Sequence, residues 1–159
     1  MTLAILVLED EDDVRHELEN DLDPFAAAVR IEAASDVDDA WDAVEAVLAD
    51  GDRLALVLAD HRLPGRSGVD FLVDIAHDPR TSGARTVLVT GQAGQRDTIR
   101  ALNEAGLDHY LAKPWHVREL VDVVRGQLTD YVLSEGIDPL PFLSALDEVR
   151  VMDALRHRS

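Results

Sequence analysis

None of the 159 residues is cysteine, which excludes disulfide frameworks, thiolate zinc sites and cysteine nucleophiles together. No apolar run approaches the roughly eighteen residues of a membrane span, and no basic segment precedes an apolar one at the N-terminus, so neither a membrane helix nor a secretory signal is expected. The expected setting is the cytoplasm. Positive charge is scarce: 15 Lys and Arg face 32 Asp and Glu, for a formal net charge of -17. A duplex binder needs cations to displace counterions from phosphates, so direct nucleic-acid contact is not expected. The sequence also lacks a Gly-x-x-x-x-Gly-Lys-Ser/Thr phosphate loop, a Gly-x-Gly-x-x-Gly turn after a strand and a Gly-x-Ser-x-Gly elbow. Its six histidines show no His-Glu-x-x-His spacing.

What is present is an alternation of apolar runs and amphipathic stretches, the pattern of β-α units around a parallel sheet covered on both faces. Strands are expected near 3–8, 28–33, 54–59, 85–90 and 108–112, and helices near 13–22, 36–49, 67–77, 94–105 and 115–134. Ser35, with Asp38 three residues on, is the expected N-cap of the second helix. Trp41, Val44, Val47 and Leu48 supply that helix's buried stripe. The segment Leu54 to Gly68 is the most informative: an apolar strand delivers Asp60 to its C-terminal tip, and Pro64-Gly65 turns the chain at once. In open parallel sheets the chemistry sits at such tips.

Three more strand tips carry polar groups. Leu3 to Leu8 ends in Glu9-Asp10-Glu11, Thr86 to Val89 ends in Thr90-Gly91, and Asp108 to Ala112 ends in Lys113-Pro114-Trp115. In this order and spacing the chain resembles the receiver domain of two-component response regulators over residues 1–128. The resemblance implies a flavodoxin-like, doubly wound five-stranded parallel sheet in the order 2-1-3-4-5. It implies that Asp60 accepts a phosphoryl group from the phosphohistidine of a histidine kinase or phosphotransfer protein. Mg²⁺ would be held by Glu9, Asp10, Asp60 and the backbone carbonyl of Arg62. Thr90 and Lys113 would contact the phosphoryl oxygens, and Thr90 with Tyr110 would form an aromatic switch. It also implies a cis Lys113–Pro114 bond.

Electrostatics agrees with that grouping, because three carboxylates converging on one cleft repel one another until a cation joins them. Four residues depart from the commoner family pattern: Glu9 stands in place of Asp, His61 in place of an apolar residue, and Arg62 and Gln92 occupy positions that tune how fast the phosphoryl group is lost. Two other readings compete. Asp10-Glu11-Asp12-Asp13-Val14 formally matches the Asp-x-Asp-x-Val of phosphohydrolases resembling the haloacid dehalogenase group, which leaves Asp60 unexplained. A pseudo-receiver would keep the fold as an interaction module without phosphoryl transfer.

Residues 129–159 form an expected helical extension, with a break at Gly136-Ile137-Asp138-Pro139 and a last helix from about Pro141. Phe142, Leu146, Val149, Met152 and Leu155 make one apolar stripe at spacings of three and four, too large to leave in water. It could fold back on its own domain or pair with a second copy. The homodimer is the expectation, because five helices already cover both faces of the sheet. The extension carries six acids against three arginines, a poor balance for DNA, so output is expected through protein contacts.

Overall fold

A computed structural model describes residues 1–63, 65–91, 103–104 and 106–157. Its elements are β1 (Leu3–Leu8), α1 (Asp12–Asp21), β2 (Arg30–Ala34), α2 (Val37–Ala49), β3 (Arg53–Asp60), α3 (Gly68–His77), β4 (Arg85–Thr90), β5 (His109–Ala112), α4 (Val117–Ser134) and α5 (Glu148–Arg156). Two 3-10 turns, Asp23–Phe25 and Leu140–Ala145, are also present among the described residues. The helix expected near 94–105 falls mostly outside the described residues, as does Gln92.

The five strands form one parallel sheet in the order β2-β1-β3-β4-β5, as the resemblance implied. β1 is buried at every residue and β3 at every residue after Arg53, which is why both read as unbroken apolar runs rather than alternating ones. Side chains on one face of the sheet, among them Ile5, Val7, Leu56 and Val89, pack with Leu18 of α1 and with Leu120, Val124 and Leu128 of α4. Those on the other face, among them Leu6, Leu8, Val57 and Leu88, pack with α2 and α3.

Local departures from the sequence reading have local causes. β2 begins two residues late because the 3-10 turn after α1 extends into a further turn, with Val29 N–H donating to the Phe25 carbonyl at 2.9 Å. The N-cap of α2 is Asp36 rather than Ser35: its carboxylate accepts from Asp39 N–H at 2.8 Å, while the Ser35 hydroxyl lies 3.0 Å from the Asp39 carboxylate. Gly68, at the first position of α3, abuts the end of β3, where any Cβ would overlap the Asp60 carbonyl oxygen. The helix thereby starts directly against the strand that carries Asp60.

The extension folds back on its own domain. After α4 the chain reverses at Gly136, whose φ of 67° lies in the left-handed region glycine adopts without penalty. Phe142, Ala145, Leu146 and Val151 then bury among Phe25, Leu128, Tyr131 and Val132. The premise that the helices leave no apolar surface is thus corrected, since the C-terminal half of α4 and the turn after α1 present one. The stripe also splits: Phe142 and Leu146 are buried, whereas Val149 and Met152 face outward. The physical reason is a break in helical phase at Leu146-Asp147, where the 3-10 turn ends and α5 starts with Asp147 as its cap. Among the described residues, no helix is long and apolar enough to cross a membrane.

Candidate functional site

Strand register brings the polar residues together. Leu8 pairs with Ala59, Asp60 with Val89, and Thr90 with Ala112, so Glu9, Asp60, Thr90 and Lys113 emerge at the same edge of the sheet. Asp10, Glu11, Asp60, Arg62, Thr90, Gly91 and Lys113 line one cleft of about 290 Å³ there.

Glu9 is fully buried and Asp60 is 8% exposed, while Asp10 faces solvent. Ligand-capable oxygens of these three carboxylates all lie within 4.8 Å of one another. Partial desolvation on the cleft side of this otherwise exposed carboxyl, a hydrogen bond to Glu9 and the Glu9 charge together push Asp10 above its ordinary value. The Lys113 ammonium answers part of this negative charge: it forms a very short hydrogen-bonded pair with Glu9 Oε1 and sits 3.4 Å from Asp60 Oδ1. Burial pulls the lysine down, but its hydrogen bond to Glu9 and the charges of Asp60 and Glu9 outweigh it and hold the group above its ordinary value. This donor set suits a hard, oxygen-liganded divalent cation.

The backbone around the cleft is tied from several sides. Glu9 N–H donates to the Ala34 carbonyl at 3.0 Å, and Glu11 N–H to Glu9 Oε2 at 3.3 Å. The Arg15 guanidinium donates to the Glu9 carbonyl at 3.0 Å and to Asp12 at 2.6 Å, so α1 anchors the acidic loop through a residue the sequence reading passed over. Its signal was present: an arginine three residues after Asp12 on a helix. Lys113 N–H donates to the Thr90 carbonyl at 3.2 Å, and the Lys113–Pro114 bond is cis.

Thr90 is buried, whereas Tyr110 is 37% exposed with its hydroxyl 3.5 Å from the Thr90 carbonyl. Among the described residues, a Cβ at Gly91 would meet only Lys113 Cβ, at an ordinary contact distance of 3.9 Å. Arg62 is exposed at the rim of the cleft.

The sequence model of the response regulator receiver domain matches residues 5–125. The chain belongs to this family. Over 122 residues the receiver is 31% identical to the hydrogenase transcriptional regulatory protein HoxA of Cupriavidus necator, covering 77% of this chain and 23% of that protein. Over 126 residues it is 29% identical to the phosphate regulon transcriptional regulatory protein PhoB of Escherichia coli, covering 76% of this chain and 49% of the relative. The receiver therefore spans about a quarter to a half of these curated relatives. Among solved structures, a CheY-like response regulator receiver domain protein from Methanospirillum hungatei superimposes with a TM-score of 0.71 at 25% identity, covering 84% of this chain and 99% of that one.

Proposed function

We propose that the chain is a phosphoacceptor in a two-component phosphorelay, acting in the cytoplasm. In this reading an Asp60 carboxylate oxygen attacks the phosphorus of a phosphohistidine on a histidine kinase or phosphotransfer protein. The P–N bond breaks, its electron pair leaves with the imidazole, and Asp60 becomes an acyl phosphate. The observation that carries the reading is the convergence of three carboxylates on one cleft beside a single lysine and a buried threonine.

Phosphoryl transfer is mainly positioning plus neutralisation of the equatorial oxygens. Glu9, Asp10 and Asp60, with the carbonyl of Arg62, would hold Mg²⁺, which supplies charge neutralisation at those oxygens when bound. Lys113 supplies a second, protein-borne cation 3.4 Å from the nucleophile. Thr90 donates its hydroxyl to the phosphoryl group, and the Tyr110 ring turns inward as Thr90 shifts. Output runs through protein contacts, including a second copy of the chain engaged through the extension, without direct contact to nucleic acid.

Incubation with Mg²⁺ and acetyl phosphate, followed by mapping of the modified residue, tests this. Label on Asp60 that disappears in Asp60→Asn is the expected result. Turnover of a phosphate ester through Asp10 would replace the reading with a phosphohydrolase, and absence of any label would leave an interaction module.

A further inference from the structure

One side of α5 is buried, and among the described residues nothing covers the other. Val151 is fully buried and Leu155 packs against the core, but Val149 is 80% and Met152 40% exposed. These two residues sit one helical turn apart on a single outward face. Together with Glu148, Arg150, Asp153 and Arg156 they line a shallow groove of about 430 Å³.

We propose that this face is a contact between two copies of the chain, with the α5 helices antiparallel about a two-fold axis beside Met152. The proposal rests on the reading that the extension engages a second copy, and names the face and geometry. The argument for that occupant is self-complementary charge. Glu148 lies one turn before Met152 and Arg156 one turn after it, both exposed. Antiparallel pairing sets Glu148 of each copy opposite Arg156 of the other, flanking an apolar centre of Val149 and Met152. An isologous interface needs one patch to complement itself in this way. Antiparallel alignment also brings opposite ends of the helix dipoles together.

The face is already fixed in place, so little ordering opposes association. The Asp147 carboxylate caps α5 by accepting from Arg150 N–H at 3.2 Å, Thr129 Oγ1 of α4 accepts from Asp147 N–H at 2.9 Å, and Arg150 pairs with Asp130. A nine-residue helix covers far less than the roughly 800 Å² per partner of a stable interface. The association is accordingly weak and reversible.

Sedimentation equilibrium of the full chain, over concentrations up to about millimolar, reads the monomer–dimer constant. The wild type is expected to dimerise, Met152→Glu to weaken the dimer at least ten-fold, and Glu148→Arg or Arg156→Glu alone to weaken it severalfold. The double change Glu148→Arg with Arg156→Glu re-forms both ion pairs and is expected to restore the dimer, which a contact elsewhere would not predict. These side chains are exposed, and circular dichroism and Asp60 labelling of each variant should match the wild type. Dimerisation that resists Met152→Glu but yields to Leu140→Glu, at an exposed position earlier in the extension, overturns the α5 pairing while sparing the extension as the contact. A wild type that stays monomeric throughout overturns both, and neither result touches phosphoryl acceptance.

Discussion

Lys113 is the sole lysine in a chain whose other fourteen cations among Lys and Arg are arginine, and it stands where three carboxylates converge. A lysine offers a compact charge on a flexible stem, suited to moving between oxygens, whereas a guanidinium favours a fixed bidentate fork. Its pairing with the fully buried Glu9 has a consequence for stability. Removing one member of a buried ion pair leaves the other charge uncompensated, at about 3–5 kcal/mol. Because the Lys113 side chain retains 21% exposure, Lys113→Met should destabilise the protein by about 3 kcal/mol, at the lower end of that range. Urea unfolding without divalent cation reads that loss, and Mg²⁺ should recover part of it; an unchanged midpoint would show that Glu9 finds water or another donor instead. That Asp60, Thr90 and Lys113 share one edge of the sheet was legible in the sequence because strand-tip residues follow from local pattern. The Glu9–Lys113 pair was not, since it joins residues 104 apart through side-chain packing alone.

At the scale of elements, most strand positions were legible because buried parallel strands announce themselves as apolar runs, and two of the misjudged features depended on where a helix phase begins. Asp36 rather than Ser35 caps α2, and Asp147 rather than Pro141 marks the start of α5; one residue of phase decides which side chains turn inward. The tail makes this testable. Phe142→Ala should cost about 3–5 kcal/mol as a large core truncation, whereas Val149→Ala, in the same predicted stripe but 80% exposed, should stay within about 0.5 kcal/mol. Equal, small effects on thermal unfolding would show that the extension does not pack on α4.

At the start of the sheet Asp52 accepts from Thr2 N–H at 2.7 Å and from Arg30 at 3.1 Å. The Thr2 bond is the largest influence; burial opposes it, but the hydrogen bond and charge of Arg30 and the charge of the N-terminus add to it and hold the Asp52 carboxyl below the usual range. For a carboxyl depressed in the folded state, the stabilisation is fully present above the unfolded value near 3.9 and disappears as pH falls through the folded value. Asp52→Asn should therefore be less stable than wild type at neutral pH, with the two curves converging in acid. A difference that persists unchanged to the lowest pH would assign the effect to shape rather than charge.

For the whole molecule, the net charge of -17 makes self-repulsion a general load on the folded state, which salt relieves by screening. A divalent cation can act in two ways, diffusely as a screening ion or specifically at Glu9, Asp10 and Asp60, and only the second saturates with concentration. Binding to the folded state alone stabilises by RT ln(1 + [L]/Kd), about 2.7 kcal/mol at a hundredfold excess over Kd. Thermal melts in NaCl and in MgCl₂ at matched ionic strength separate the two effects. NaCl should raise Tm, and MgCl₂ should raise it further, with the excess levelling off as the site fills. Asp60→Asn replaces one of the converging carboxylates with a neutral amide, so it should keep the NaCl effect and lose most of the Mg²⁺ excess. An excess of equal size in Asp60→Asn would mean that Mg²⁺ acts only on the diffuse charge, and the three carboxylates would then stand as a strained acidic cluster relieved by Lys113 alone.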